Sequence, residues 1–334
     1  MKNHYDVIIV GASIAGLEAA KRLGGTGLKV LILDKNENVG SKPCAHGVTL
    51  NDIEFIAPEF LNFPCKKAII HYRKNKSFFP KNVGFISSID RREFLREALK
   101  EVKRHKNIDV IFKVSAEKIG EEVVVNGENI SFKYLIGADG SNSIVRKYLK
   151  LPVEKIEFAI QYITPEIYKD FEIFLGDDRF GSGYAWIFPN KSFTSIGCGS
   201  DTRAISPRKI RTNFEDWLKE QNIKIANARL EMSIINYDYR GYRFGNVFLV
   251  GDAAGLASGF TGKGMYAAFA SAKQVVDEIL GIKQDSNIIL EWVSKKRAQE
   301  RVVSLLKYRV SRRATLFLGL KILPRVEERI LKYL

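Results

Sequence analysis

The chain has 334 residues, with 53 Lys or Arg against 38 Asp or Glu, which gives a formal net charge of +15. This length allows one large domain or two interleaved ones, and three cysteines are too few for a disulfide framework. No apolar run approaches the ~20 residues needed to span a bilayer, and the first predicted strand begins near residue 5. We therefore expect no signal peptide and a cytoplasmic location.

Residues 1–62 predict the opening βαβ unit of a doubly wound sheet. A buried strand at residues 7–10 leads into a glycine turn and then a helix. Gly11 permits the sharp turn and Gly16 lets the helix pack on the strand, while Ser13 stands where the dinucleotide-binding fingerprint has its middle glycine. The free N–H groups of such a helix start favour a pyrophosphate.

The second predicted strand, VLILD, ends in Asp34. A carboxylate at this spacing takes the ribose hydroxyls of an adenine dinucleotide. Residues 65–90 then alternate apolar and polar side chains around polar turns, which predicts antiparallel strands.

Residues 91–152 return to the first sheet, with a helix over 92–105, strands near 108–114 and 121–136, and a GADG loop. Residues 155–240 are strand-rich again, with a helix over 207–220.

Within this region, YAWIFP places Tyr184, Trp186 and Phe188 on one face of a strand, because side chains alternate with period two. These aromatic residues either form the core of a sheet or wall an apolar slot.

Residues 246–268 read NVFLVGDAAGLASGFTGKGMYAA, a buried strand that ends in Asp252 and a glycine-rich turn that opens a helix. With GADGSNSIVR at residues 137–146, this stretch resembles the two later motifs of the para-hydroxybenzoate hydroxylase superfamily of flavoproteins. The resemblance implies FAD, with Asp252 on the ribityl chain and the turn at Gly262 and Gly264 against the flavin ring. The positive end of the helix would stabilise an anionic reduced flavin.

Arg91, in IDRREFLREAL, matches a superfamily arginine that contacts the cofactor; the alternative is a solvated arginine at a helix start. The full set of predicted cofactor residues is Gly11, Ser13, Ala15, Gly16, Asp34, Lys35, Lys42, Pro43, Cys44, Arg91, Asp139, Gly251, Asp252, Gly262, Lys263 and Gly264.

Two further stretches, GSKPCAHGV at residues 40–48 and GYAWIFP at 183–189, resemble the geranylgeranyl reductase family, flavoenzymes that saturate isoprenoid double bonds. Ala45 departs from the family's Pro-Cys-Gly motif. The resemblance implies that Cys44 lies at the flavin, where a thiol either relays a proton or shapes the pocket; the alternative is a small buried packing residue. His46 is a second candidate acid, or a loop histidine. The same resemblance assigns the three aromatic residues of YAWIFP to a lipid pocket.

The C-terminal segment is strongly basic, because residues 291–334 hold twelve Lys or Arg and four Asp or Glu. Its apolar residues recur at helical spacing, as in helices that lie on anionic membranes. We expect residues 288–311 to pack on the cofactor domain and 312–334 to approach the inner face of the membrane. No nucleic-acid motif accompanies the charge.

Together these features predict an α/β fold with a Rossmann-like FAD-binding domain, an interleaved antiparallel β-sheet substrate domain and C-terminal helices. The predicted boundaries are 1–62, 91–152 and 241–287 for FAD binding, 63–90 and 153–240 for the substrate, and 288–334 for the helical segment.

The predicted function is the reduction of carbon–carbon double bonds in a prenyl lipid, prenyl quinone or prenyl diphosphate, with electrons from NAD(P)H, ferredoxin or a quinol and without a metal. One alternative is a monooxygenase or halogenase, although those hydroxylases typically have His and Pro after GDAA, where Gly255 and Leu256 stand here. Another is a non-redox or electron-shuttling flavoprotein.

Overall fold

The computed structural model describes residues 2–65, 68–72, 76–78, 85–306, 308, 312–313 and 315–316. Its strands are β1 (His4–Val10), β2 (Val30–Asp34), β3 (Gly47–Thr49), β4 (Leu61–Pro64), β5 (Ala68–Tyr72), β6 (Lys76–Phe78), β7 (Phe85–Ile89), β8 (Ile108–Phe112), β9 (Lys118–Ile119), β10 (Glu122–Val125), β11 (Glu128–Gly137), β12 (Ile156–Thr164), β13 (Phe171–Leu175), β14 (Tyr184–Pro189), β15 (Thr194–Asp201), β16 (Arg229–Asn236), β17 (Arg243–Phe244) and β18 (Val247–Leu249). Its helices are α1 (Ile14–Leu23), α2 (Arg91–Lys103), α3 (Ile144–Tyr148), α4 (Pro207–Glu220), α5 (Met265–Ile279) and α6 (Ile288–Leu306).

The first sheet runs in the order β17-β18-β11-β1-β2-β8, and β1, β2, β8, β11 and β18 pair in parallel. Strands β1 and β2 are almost wholly buried, as expected for a parallel sheet covered on both faces. Helices α1, α2 and α5 pack together beside it. The predicted mixed α/β fold is confirmed.

A second sheet of seven strands runs in the order β16-β12-β15-β14-β13-β5-β6, with mainly antiparallel pairing. Helix α4 packs on β12 and β15, and the buried side chains of Phe214 and Trp217 belong to the core between them. Strands β3, β4 and β7 form a small third sheet. The segment predicted as one antiparallel unit at 65–90 is therefore divided between two sheets.

One predicted strand, at residues 121–136, was wrong as a single element. The structure breaks it into β10 and β11, which pair as a hairpin. Asn126 and Gly127 form the turn with φ of 50° and 76°, and this Asn-Gly pair is a strong signal for a two-residue hairpin. The predicted helices over 92–105 and 207–220 correspond to α2 and α4.

Helix α6 buries one face against the body of the protein, through Ile289, Trp292, Val293 and Val303. Lys296 is also buried, and its ammonium group donates to the Tyr237 carbonyl oxygen and to Glu300.

Arg312, in the segment predicted to approach a membrane, is buried as well and pairs with Asp178. Part of the basic charge is therefore structural, and residues 317–334 lie outside the described residues.

Among the described residues, no helix combines the length and apolar character that crossing a bilayer requires.

Candidate FAD and substrate site

A cavity of about 710 Å³ lies between the ends of β1 and β2 and the face of the seven-stranded sheet. Its first wall is the turn between β1 and α1. Gly11 has a φ of 107°, and a Cβ there would lie 2.4 Å from the Ala138 carbonyl oxygen. A Cβ on Gly16 would lie 1.8 Å from the Gly11 carbonyl oxygen, so both glycines are sterically required. Gly16 supports the turn from behind and does not line the cavity.

Ser13 is the N-cap of α1, but its side chain does not cap the helix. The first N–H groups of α1 therefore have no side-chain partner within α1, and residues 11–15 line the cavity. An uncapped helix start that faces a cavity is a suitable site for a pyrophosphate.

Asp34 lies at the end of β2 and lines the cavity together with Lys35. One carboxylate oxygen accepts a 2.7 Å hydrogen bond from the Ala12 backbone N–H, and the other accepts one of 2.8 Å from the Asn36 N–H. These bonds fix the carboxylate beside the glycine turn, where ribose hydroxyls could reach it.

Arg91 is buried, which excludes the alternative of a solvated arginine at a helix start. Its guanidinium donates to Ser13 Oγ at 2.6 Å and to the Lys42 carbonyl oxygen at 2.7 Å. The side chain thereby joins the dinucleotide turn to the loop that carries Cys44. Arg91 also lines the cavity, and direct contact with the cofactor stays a prediction.

On the opposite wall, Asp252 forms an ion pair with Lys42 and accepts a 3.2 Å hydrogen bond from Ser141 Oγ. A Cβ on Gly264 would lie 3.0 Å from Asp252 Oδ1, so glycine gives the carboxylate room. Gly264 is the N-cap of α5 and has no side chain to cap it. A second helix start therefore faces the cavity.

Asp139 also lines the cavity, and its Oδ2 accepts a 2.6 Å hydrogen bond from the Ile144 N–H at the start of α3. Burial raises the pKa of this carboxyl above its usual value. Its visible role is to hold the GADG loop in place.

These features fit FAD on structural grounds. The two uncapped helix starts and the glycine turns leave room for a pyrophosphate and a ring, and the Asp34 and Asp252 carboxylates line the cavity on its two sides. All predicted cofactor residues except Gly16 and Lys263 line this cavity.

Lys263 is not among the lining residues, contrary to the expected cofactor contact. Desolvation lowers the pKa of its ammonium group to about 8, and the charge of Asp52 opposes that shift. Lys263 lies between two lining glycines, and the charge of Asp52 acts on its ammonium group.

Cys44, Tyr184 and Trp186 line the half of the cavity in which the substrate is predicted to bind, called the substrate half below. The Cys44 carbonyl oxygen accepts a 2.9 Å hydrogen bond from Gln161 Nε2. Gln161 Oε1 accepts from Ser195 Oγ at 2.9 Å, and that hydroxyl accepts from Trp186 Nε1 at 2.9 Å. This chain of bonds fixes the Cys44 loop relative to the aromatic strand β14.

Phe188 does not line the cavity, although it shares a face with the other two aromatic residues of β14. It packs against Phe171 and Trp186 in a buried cluster. A strand rises about 3.3 Å per residue, so Phe188 lies roughly 13 Å along β14 from Tyr184, beyond the end of the cavity.

His46 is likewise outside the cavity lining. It is buried, its Nδ1 lies 2.9 Å from the Ile89 carbonyl oxygen, and its ring packs edge-on against Phe193. Burial lowers the pKa of His46 to about 4, so the ring is neutral at neutral pH. The predicted acid role is not supported by this position.

Two acidic residues that the sequence analysis did not single out, Glu157 and Glu231, line the substrate half. Glu231 accepts hydrogen bonds from Gln161 at 2.8 Å and from Arg229 at 2.7 Å. The side-chain alternation of β12 could have identified Glu157 from the sequence, because it places Glu157 and Gln161 on the same face of the strand, which meets the cavity. Among the described residues, no group of three or more His, Cys, Asp or Glu is placed to hold a metal.

Comparison with known proteins supports FAD as the cofactor. The family described as FAD binding domain matches residues 110–283, or 174 of the 334 residues, and the family described as pyridine nucleotide-disulphide oxidoreductase matches residues 5–164. The chain belongs to the FAD binding domain family, and its cofactor is FAD.

Among curated relatives, a digeranylgeranylglycerophospholipid reductase of Methanosphaerula palustris is 28% identical, covering 82% of this chain and 75% of the relative. A geranylgeranyl diphosphate reductase of Rhodobacter capsulatus is 26% identical, with 82% and 74% covered. The chain is thus an FAD-dependent oxidoreductase similar to the geranylgeranyl reductases.

Two solved structures show the same fold. A geranylgeranyl bacteriochlorophyll reductase-like protein of Thermoplasma acidophilum superposes with a TM-score of 0.70 at 21% identity, covering 98% of this chain and 90% of that one. The halogenase PltM, in complex with phloroglucinol and FAD, gives 0.67 at 17% identity, with 92% and 76% covered. At these identities the likeness extends to the fold alone.

Proposed function

We propose that the protein reduces carbon–carbon double bonds of an isoprenoid substrate. The observation that carries the proposal is the shared cavity: Cys44, Tyr184 and Trp186 line the same space as the FAD motifs. The Tyr184 hydroxyl donates a 2.5 Å hydrogen bond to the Thr261 carbonyl oxygen, in the turn predicted to meet the flavin ring. The names of the curated relatives support the same substrate class.

When bound and reduced, FAD would supply the hydride for the alkene. The residues of this chain would bind the prenyl chain along β14 and exclude water from the reacting carbons. Trp186 has its N–H bonded to Ser195, so its ring offers an apolar face to the cavity at low desolvation cost.

The monooxygenase and halogenase alternative shares the fold but not the sequence after GDAA. Gly255 has a φ of 75°, and a Cβ there would lie 2.4 Å from the backbone carbonyl of Asp238. No histidine side chain can therefore occupy this position without a backbone shift. This observation favours the reductase.

The test is a single-turnover reaction of the purified holoprotein. The FAD is reduced with dithionite without oxygen, and geranylgeranyl glycerophospholipid or geranylgeranyl diphosphate is added. We expect flavin reoxidation and a product with two added hydrogens for each bond reduced, as seen by mass spectrometry. Reoxidation only by oxygen, with oxygen gained by an aromatic substrate, would favour the alternative. The NAD(P)H, ferredoxin and quinol donors can be compared in the same assay.

We also propose that the basic C-terminal segment docks on an anionic membrane surface, since a prenyl lipid resides there. Truncation after residue 316 keeps the buried Arg312–Asp178 pair and removes a segment that holds four Lys or Arg and two Glu. We expect the full chain to sediment with phosphatidylserine vesicles at low salt and to be released as salt is raised. Equal sedimentation of the truncated and full chains would contradict the proposal.

A further inference from the structure

Glu157 has an unusual position in the substrate half of the cavity. It lies on β12, its side chain is 9% exposed, and it lines the cavity. Its carboxyl group has no hydrogen-bond partner among the described residues, whereas Glu231 on the neighbouring strand has two. A buried carboxyl with no partner and an open face toward a cavity is costly unless it is neutral or serves the site.

The carboxyl is directed to the glycine-rich turn. A Cβ on Gly262 would lie 3.5 Å from Glu157 Oε2 and 4.0 Å from the Tyr184 hydroxyl oxygen. Gly262 belongs to the turn predicted to approach the flavin ring. Glu157 is thus placed near both the predicted ring position and the aromatic strand β14.

The charged and titratable groups around Glu157 favour its protonated form. Burial has the largest effect, and the negative charge of its cross-strand neighbour Asp201 adds to it, while Lys296 from α6 opposes both. These effects raise the pKa of Glu157 to about 8. Asp201 itself stays ionised, because Arg203 and the Tyr237 hydroxyl hydrogen-bond to it and hold its pKa below the usual value.

The other candidate acids are less well placed. Burial raises the pKa of Tyr184, and its hydroxyl proton is already donated to Thr261. His46 is neutral and lies outside the cavity. Cys44 also lines the cavity, but the atom nearest to a Cβ on Gly262 is Glu157 Oε2 and not the Cys44 sulfur.

We propose that Glu157 is the proton donor in the double-bond reduction, an inference that rests on the proposed function. The π bond of the alkene breaks, and one carbon receives a hydride from reduced FAD, which is oxidised by two electrons. The other carbon receives the proton of the Glu157 carboxyl, whose O–H bond breaks. The carboxylate is reprotonated from water, and an external two-electron donor reduces the FAD for the next turnover.

The first test does not depend on activity. Infrared spectra of the oxidised holoprotein are recorded from about pH 6 to 10, across the expected midpoint near 8. We expect the C=O band of a protonated carboxyl that disappears with rising pH and is absent from Glu157→Gln. If the two proteins give the same spectra, Glu157 is not the protonated group and the proposal is overturned.

The second test is single-turnover reoxidation of dithionite-reduced holoprotein by a geranylgeranyl lipid. The wild-type rate should fall as pH rises through about 8. Glu157→Gln should be slower by about 10²–10⁴-fold at neutral pH and lose this dependence, whereas Glu157→Asp should restore part of the rate and the pH profile. Glu172→Gln, on β13 and outside the cavity, is the matched control and should match wild type.

The outcomes separate the two proposals. Wild-type rate and pH profile in Glu157→Gln, with active wild type, overturn the proton donor alone. A wild-type holoprotein that reduces no prenyl alkene overturns the proposed function and, with it, the role of Glu157.

Discussion

The guanidinium of Arg91 donates a hydrogen bond of 2.6 Å to the hydroxyl of Ser13. This contact accounts for the departure from the glycine fingerprint, because the hydroxyl satisfies a buried guanidinium N–H that a glycine would leave without this partner. The same guanidinium bonds the Lys42 carbonyl oxygen, two residues before Cys44. The FAD turn and the Cys44 loop are therefore mechanically joined.

Arg91→Ala should weaken FAD binding and lower thermal stability, because each lost bond from a charged donor costs about 1.5–3 kcal/mol. Titration of the apoprotein with FAD and a melting curve measure the two effects. Arg91→Lys retains the charge but lacks the guanidinium that donates to both acceptors. Its FAD affinity and melting temperature should lie between those of Arg91→Ala and wild type. Arg96→Ala, at an exposed position of α2, is the control. If Arg91→Ala and Arg96→Ala bind FAD equally well, the Arg91 hydrogen bonds to Ser13 and Lys42 have no role in cofactor binding.

Asp34→Ala and Asp252→Ala should each reduce FAD occupancy, with a loss of about 1.5–3 kcal/mol if each carboxylate bonds the cofactor. Asp252→Ala also leaves Lys42 without its ion-pair partner. The ratio of flavin to protein absorbance after purification gives the occupancy. Asp109→Ala, which removes a carboxylate at a partly exposed position outside the cavity, should keep full occupancy. Full FAD occupancy in both Asp34→Ala and Asp252→Ala would refute the assignment of these carboxylates as FAD ligands.

Cys44→Ser should slow alkene reduction while leaving the FAD spectrum nearly unchanged, because it keeps the size of the side chain but makes the cavity wall more polar where the prenyl chain is predicted to bind. The Cys44 main chain is held by Gln161, so the loop should not move. Cys65→Ser serves as the control, since Cys65 lies outside the cavity lining. Unaltered single-turnover rates with a verified prenyl substrate would make Cys44 a packing residue.

Trp186→Ala should impair the reduction of long prenyl chains more than short ones, because it removes a cavity wall. It should also destabilise the fold by about 3–5 kcal/mol, since Trp186 is buried. Trp186→Phe keeps much of the apolar wall without the N–H. Phe188→Ala, on the same strand but outside the cavity, should lose stability without a change in chain-length preference. Equal preference in the Trp186 and Phe188 variants would contradict the assignment.

Glu157→Gln should make the protein more stable than wild type by an amount that grows with pH. The folded-state pKa is about 8 against an ordinary value of 4.5, so both states are protonated below about 4.5. As pH rises from there to about 8, the unfolded wild-type chain releases this proton first, and wild-type stability falls. Glutamine does not titrate. Urea unfolding at several pH values measures the difference, with the exposed Glu166→Gln as control. A difference that does not vary with pH would show that Glu157 is ionised in the folded state.

The sequence alone determined the FAD site in outline. The strand, glycine turn and helix around Gly11 are local, because backbone sterics and hydrophobic periodicity act over a few residues. The same holds for the turn at Gly264 and for Asp34 and Asp252 at strand ends. In the folded structure these positions line one cavity, as the local sequence patterns predicted.

Only the tertiary structure decided which neighbours of those motifs reach the cavity. Local sequence patterns placed His46 and Phe188 among the predicted site residues. In the structure His46 packs against Phe193 and Phe188 packs against Phe171, and neither residue lines the cavity. Glu157 reaches the cavity because strand pairing brings β12 near a turn more than a hundred residues further along the chain. Side-chain periodicity fixes the face of a strand, but sheet order and the limits of the cavity depend on contacts between distant segments, which a single local pattern does not contain.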